Sequence, residues 1–301
     1  MFDSQRVENL LLQTAQSMEH NGSFSDEQEL LLGVDLGTAY VVLVVLDAAG
    51  KPIACEIEAS QVLKDGLVVD YMGAVETVRR LKQRIEDRLG VSLSKAAIAV
   101  PPGTIPADQR THRYIVEACD LEVVSILEEP VAANAVLQIE NGVIVDIGGG
   151  TTGLSVIKDG KVVFTADEAT GGTHISLVLM GGRKVTFEQA EEMKKNPAMQ
   201  PEVLRAVLPV LQKMASIVRA NIQGFEVDCV YLVGGTCCLS GIEEVFAREL
   251  GIRTYKPSNP LLVTPLGIAL GCAQHQATEH PASGQAMATA AFGHRGGCTL
   301  C

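Results

Sequence analysis

Val34-Asp35-Leu36-Gly37-Thr38 recurs 111 positions later as Val145-Asp146-Ile147-Gly148-Gly149-Gly150-Thr151, and each copy runs through a β-like stretch to a second turn. The first reaches Asp47-Ala48-Ala49-Gly50-Lys51 and the second Lys158-Asp159-Gly160-Lys161, whose Asp-Gly pair is a strong hairpin signal. Each copy therefore reads as strand, glycine turn, strand. A turn of Gly and Thr lets backbone N–H groups approach an anion with no Cβ in the way, and successive N–H groups form a concave nest for phosphate. An aspartate at the strand end beside the turn can hold Mg²⁺, usually through its waters. One such hairpin is equally well explained as a plain β-turn with a left-handed glycine. Two copies, each with Asp before the turn and Thr after it, would clamp a polyphosphate and its metal between two lobes.

Two other phosphate motifs fail on context. Gly148, Gly150 and Gly153 satisfy G-x-G-x-x-G, but that dinucleotide fingerprint opens a helix, whereas Leu154 to Gly160 reads as a strand running into a turn. No G-x-x-x-x-G-K-[ST] occurs, because Gly50-Lys51 is followed by Pro52 and Gly160-Lys161 by Val162.

Outward from the hairpins, strand and helix signals alternate from Leu30 to Ala273, the pattern of α/β layers. Residues 43–46, 96–100, 143–147, 162–164 and 230–233 read as strands. Ala74, Val78, Leu81, Ile85 and Leu89 stripe a helix ending at Gly90, Pro106 opens another, and Thr186 with Gln189 forms a capping box. Residues 4–18 read as an amphipathic helix on a polar tether, which packs on its own core or docks a partner. The 28 residues from Gln274 hold six Ala and four Gly and read as a disordered tail. The 301 residues suggest two domains, and 47% hydrophobic with 20% charged residues is globular composition. Against 36 acidic residues stand 24 basic ones, a net charge of −12, which argues against nucleic acid or an anionic membrane as partner. No apolar run approaches membrane-helix length and no secretory signal is readable, so the expected compartment is the cytoplasm.

Five ordered segments together resemble the actin, sugar kinase and DnaK superfamily: Gly33 to Thr38, Glu128-Glu129-Pro130-Val131-Ala132-Ala133, Asp146 to Thr151, Val233-Gly234-Gly235-Thr236, and Thr264-Pro265-Leu266-Gly267 through Gly271. Val100-Pro101-Pro102 through Gln109-Arg110 is similar to the DnaK branch. Within it, Gly171 to Leu179 and Leu232 to Leu239 resemble the chaperone-like proteins of ethanolamine utilization. The resemblance implies a two-lobed actin-like ATPase fold of duplicated ribonuclease H-like domains. Residues 30–142, with a returning helix at 264–273, would form lobe I and residues 143–263 lobe II, preceded by an N-terminal helix and linker over 1–29.

It also implies roles. Asp35 and Asp146 would position Mg²⁺ and its waters, and Gly37, Thr38, Gly148, Gly149, Gly150 and Thr151 would cradle the phosphates of ATP. Glu129, with Glu128 as its neighbouring alternative, would orient the attacking water. Gly234, Gly235 and Thr236 would lie under the adenosine, and Glu191, Lys194 and Lys195 would touch it from across the cleft or else form a solvated helix face. Two departures point to binding over rapid hydrolysis. Cys238 stands where DnaK-like proteins place a stacking arginine, a contact worth on the order of 1 kcal/mol, and neither Lys51 nor Lys64 lies in a recognisable catalytic-lysine motif. The expected function is an ATP-dependent chaperone-like or assembly factor at a bacterial microcompartment, with ethanolamine-catabolic enzymes or shell proteins as partners. A non-hydrolysing scaffold like FtsA and PilM is the alternative, and a sugar or acetate kinase a third. His112, His174 and the lone Cys298-Thr299-Leu300-Cys301 read as ordinary structure.

Overall fold

The computed structural model describes residues 2–25, 29–64 and 66–279. Helix α1 (Ser4–Gln16) starts where the Asp3 carboxylate accepts the Arg6 amide at 3.0 Å. Strands β1 (Leu31–Leu36), β2 (Tyr40–Leu46) and β3 (Pro52–Ala59) follow as a meander, then a small hairpin of β4 (Leu63–Lys64) and β5 (Leu67–Val68). Helix α2 (Tyr71–Leu89) is capped by Asp70 and stopped by Gly90 at φ 72°. Strand β6 (Lys95–Val100), helix α3 (Pro106–Glu117), strand β7 (Glu122–Glu128) and helix α4 (Glu129–Leu137) complete the first half. The second half runs β8 (Gly142–Ile147), β9 (Thr152–Lys158), β10 (Lys161–Glu168), α5 (Gly172–Arg183), α6 (Phe187–Lys195), α7 (Gln200–Asn221), β11 (Cys229–Val233), α8 (Ile242–Leu250) and β12 (Arg253–Tyr255), and α9 (Val263–Glu279) closes it.

The hairpin duplication is a duplication of whole sheets. Their orders are β3-β2-β1-β6-β7 and β10-β9-β8-β11-β12, and in each an antiparallel meander continues into two parallel strands. Register is duplicated too: Asp35 faces Val42 and Asp146 faces Gly153, in both cases the residue seven positions on. Asp159 and Gly160 both take positive φ, 52° and 73°, the geometry a right-twisted two-residue hairpin demands.

Three apolar clusters hold these layers. One lies under α2 and α3 on the first sheet, another under α5 to α8 on the second. The remaining one lies between the sheets, where α4 and α9 bring Ala132, Val136, Leu266 and Ala269 together with Val42 and Val44 of one sheet and Ile144 and Tyr231 of the other. Close approach here depends on glycine: a Cβ on Gly33 would lie 2.5 Å from the Ala269 nitrogen, and one on Gly267 would lie 1.8 Å from the Ala132 oxygen.

Some expectations change. Of the two alternatives for the N-terminal helix, packing on its own core is the one the structure shows, with Val7 and Leu11 fully buried in the cluster between the sheets. Helix α9 runs to Glu279, past the expected tail boundary at Gln274, since Ala and Gln favour helix. The rest of the expected tail, Cys298 to Cys301 included, lies outside the described residues. Strands β3, β7 and β12 join the two five-stranded sheets although the sequence pattern does not mark them as strands.

Candidate functional site

Both glycine turns open onto one cleft of about 1230 Å³ between the two sheets. Its first wall carries Asp35, Gly37 and Thr38, and its second Asp146, Gly148, Gly149, Gly150 and Thr151. Glu129 lies at the junction, and Gly234, Gly235 and Thr236 line the cleft together with Glu191, Lys194 and Lys195 of α6, which belong to the same half as that turn and not to the opposite lobe, since Thr236 and Lys194 both pack against Gly172. Every site residue expected from sequence thus lines this cavity except Glu128, the alternative to Glu129, whose carboxylate accepts the Gly103 amide at 3.5 Å.

The turns are closed alike, with the Gly37 amide donating to the Tyr40 carbonyl at 2.9 Å and the Gly148 amide to the Thr151 carbonyl at 3.0 Å. They also meet across the cleft: a Cβ on Gly149 would lie 3.0 Å from the Ala39 Cβ and 3.4 Å from the Thr38 Cβ. The Gly148 carbonyl accepts the Gly172 amide at 2.9 Å and the Thr236 hydroxyl at 2.7 Å, fixing the second turn against both α5 and the Gly234–Thr236 segment. Gly234, at φ 91°, admits no side chain, because a Cβ there would lie 2.3 Å from Asp146 Oδ1. The other oxygen, Oδ2, accepts the hydroxyl of Thr264, at the start of α9, at 2.6 Å. Asp146 is therefore oriented on both sides, and sequence reading gave Thr264 no such role because its partner is 118 positions away.

Three carboxyls share the floor, and among the described residues no cation offsets their charge. Burial, and then the charge of Asp146, push Asp35 up to about 7. Burial raises Asp146 to about 6 against the lowering effect of the Thr264 bond, with Asp167 adding to the rise. Glu129 is raised by burial and by the charges of Asp146, Asp35 and Asp167. Such a cluster calls for positive charge. Among the described residues no three His, Cys, Asp or Glu side chains form a metal cage. Two carboxylates above a phosphate nest is the donor set suited to Mg²⁺, which keeps its waters and shares phosphate oxygens rather than entering an all-protein cage. The residues present fit that ion.

On α6, Lys194 Nζ donates to the Gly172 carbonyl at 3.0 Å and pairs with Glu191 at 2.7 Å, and Glu191 also accepts the Ser176 hydroxyl. Burial lowers the Lys194 ammonium, so this pair is part of the cleft wall and not a solvated face. Lys195 lies 5.1 Å from the Tyr40 ring centroid, a cation–π contact across the mouth. Cys237 is buried while Cys238 is exposed and lines the cleft. Of the two lysines set aside for want of a motif, Lys64 lines the cleft from the small hairpin and Lys51 does not. His112 is a buried helix residue bonded to the Asp108 carbonyl at 2.9 Å, and His174 Nδ1 accepts the Gly171 amide at 3.3 Å.

Across 259 residues, 86% of this chain and 91% of the relative, the sequence is 42% identical to the ethanolamine utilization protein EutJ of Escherichia coli K12. The chain belongs to the EutJ family. The crystal structure of EutJ from Carboxydothermus hydrogenoformans superposes with a TM-score of 0.85 at 46% identity, covering 89% of this chain and 98% of that one. Residues 112–264 match the family model for the type IV pilus assembly protein PilM, a family to which the chain also belongs. MreB5 of Spiroplasma citri, solved bound to ADP, shares the fold alone, with a TM-score of 0.68 at 16% identity over 84% of this chain and 99% of its own. The fold is the two-lobed actin-like one. No helix among the described residues is long and apolar enough to cross a membrane.

Proposed function

We propose that this chain is an ATP-binding, chaperone-like or assembly factor of ethanolamine utilization, with slow Mg²⁺-dependent ATP hydrolysis, working in the cytoplasm at a bacterial microcompartment. The reading is carried by the convergence of two register-matched glycine turns on one cleft whose floor holds Asp35, Asp146 and Glu129. Family membership supports the pathway, and the DnaK-like segments support the chaperone-like role.

Amides of Thr38, Gly149, Gly150 and Thr151 and the two threonine hydroxyls bind the phosphates, while Gly37 and Gly148, whose amides close the turns, complete the cradle by leaving no Cβ in the way. Asp35 and Asp146 would hold Mg²⁺ through its waters, which would supply charge neutralisation at the phosphate oxygens. Glu129 accepts a hydrogen bond from the attacking water and orients it, so catalysis is positioning. Gly234, Gly235 and Thr236 support the adenosine from one side and Glu191, Lys194 and Lys195 from the other. Cys238 cannot stack on adenine as a cation does, which loosens the hold on the base, and neither Lys51 nor Lys64 lies in a recognisable catalytic-lysine motif, which supports slow turnover.

Calorimetry with ATP and Mg²⁺, followed by steady-state phosphate release, tests this. Binding with slow release that Asp146→Asn abolishes is the expected result; no heat of binding defeats the reading. The PilM match over residues 112–264 favours one alternative, a nucleotide-bound scaffold, for which tight ATP binding without turnover is the signature. Capture of ethanolamine-catabolic enzymes or shell proteins by the intact chain tests the partners.

A further inference from the structure

We propose that residues 2–22 form a brace that ties the two halves together and holds the cleft in its closed arrangement. The segment is gripped at both ends by different halves of the molecule. At its start the Phe2 ring stands edge-on to Tyr231 at 5.0 Å and to Tyr255 at 4.9 Å, residues of β11 and β12 in the second sheet. One turn into α1, Glu8 Oε1 accepts the Tyr255 hydroxyl at 2.7 Å and the Ser258 amide at 3.2 Å. Burial and the neighbouring Glu8 carboxylate hold the Tyr255 phenol above its ordinary range, so it remains a donor at neutral pH.

In the middle, Val7 and Leu11 enter the cluster between the sheets, and the Arg6 guanidinium donates to the Val136 carbonyl at the end of α4. Beyond the helix the grip passes to the first half. The Ser17 carbonyl accepts the Cys55 amide of β3 at 3.3 Å, and the Met18 carbonyl accepts Arg88 of α2 at 2.6 Å. Asn21 donates to the Arg88 carbonyl at 2.9 Å, and the Gly22 amide to the Ile53 carbonyl at 2.7 Å.

A helix that only filled the core needs Val7 and Leu11. The polar and aromatic contacts at its two ends do something more: a rotation of one sheet against the other about α4 and α9 must break one set or the other. With both sets in place the glycine turns touch across the cleft at Gly149 and Ala39. Where two lobes can pack in more than one arrangement, loss of a few contacts on one side changes the lobe angle.

The test uses the full chain with spin labels introduced at exposed positions 72 and 177, one in each half, through bio-orthogonal side chains. In Phe2→Ala/Tyr255→Phe and in Glu8→Ala, the inter-label distance distribution gains a second, displaced population that the unsubstituted protein lacks. A distribution unchanged in both variants, even with a lowered melting temperature, overturns the brace, since packing loss alone leaves the lobe angle alone. A second readout rests on the proposed nucleotide function: a fluorescent ATP analogue dissociates about threefold to tenfold faster from the same variants. Unaltered dissociation beside a shifted distance distribution overturns the brace's hold on the cleft. If the unsubstituted protein binds no nucleotide, the nucleotide reading falls and the distances alone decide the brace.

Discussion

Asp35 and Asp146 carry more charge than the surrounding chain satisfies, and that sets how the protein answers to pH. Asp35 is raised to about 7 and Asp146 to about 6, both chiefly by burial, and Glu129 is raised with them. A carboxyl whose folded value exceeds its unfolded one binds more protons in the native state. Its favourable contribution is complete near pH 4 and is lost as pH rises through 7, an upper bound of about 4 kcal/mol for Asp35. The melting temperature of Mg²⁺-free protein should therefore fall from pH 5 to pH 7.5, and Asp35→Asn should flatten the slope while raising the melting temperature at pH 7.5. Magnesium with ATP should recover more stability at pH 7.5 than at pH 5; a melting temperature that climbs over this range refutes the assignment. Thr264 gives a second test at this scale. Thr264→Val keeps the shape and removes the donor on Asp146 Oδ2, at a cost of about 1–2 kcal/mol. Titration should show Mg²⁺-ATP binding about 5- to 30-fold weaker, with Thr264→Ser retaining most of it.

Helices α4 and α9 cross where Gly267 faces Ala132, and this contact sets how the two sheets meet. A Cβ at Gly267 would fall 1.8 Å from the Ala132 oxygen, so Gly267→Ala must force backbones apart and should cost about 3 kcal/mol. Urea unfolding should show the lowered midpoint with its slope unchanged; a loss under 1 kcal/mol would mean the crossing is loose. What was legible in the sequence at this scale is what is encoded locally. Glycine-turn chemistry, the Thr186–Gln189 box and the Asp159-Gly160 turn each act within a few residues, and their positions follow from the sequence alone. The converging cleft residues were legible because the duplicated turns require one another. The seat of α1 was not, because Val7 and Leu11 find partners on α4 and α9 more than a hundred residues away. The contacts of Thr264 and Tyr40 were hidden for the same reason: Thr264 stands in a legible motif, but its partner Asp146 is 118 positions away, and Tyr40 meets Lys195 only across the cleft mouth. Strand β7 escaped notice because its burial is partial and Glu122 and Glu128 flank it.

At the scale of the molecule, the question is whether two sheets with separate outer cores unfold as one body. Each has its own apolar cluster, under α2 and α3 in one case and α5 to α8 in the other, which on its own favours independent melting. Against this, the cluster between them draws residues from both sheets, α4, α9 and α1, so neither sheet keeps its inner face covered once the other is lost. The polar ties across the interface add to the coupling: Thr264 of α9 to Asp146 of the second sheet, Glu8 to Tyr255, and Lys195 over Tyr40 at the cleft mouth. Exposing one sheet's inner face strands several fully buried aliphatic side chains, each worth about 1.5–3 kcal/mol, which exceeds what a freed half can offset. Urea unfolding should thus be a single transition, with tyrosine fluorescence and far-ultraviolet circular dichroism tracing the same curve. Because the cleft is made by both sheets, Mg²⁺-ATP at about 100 times its dissociation constant should move the entire curve, by about 2.7 kcal/mol. Two resolved transitions, with nucleotide shifting only one, would mean that the sheets are held together by the ligand and not by the core between them.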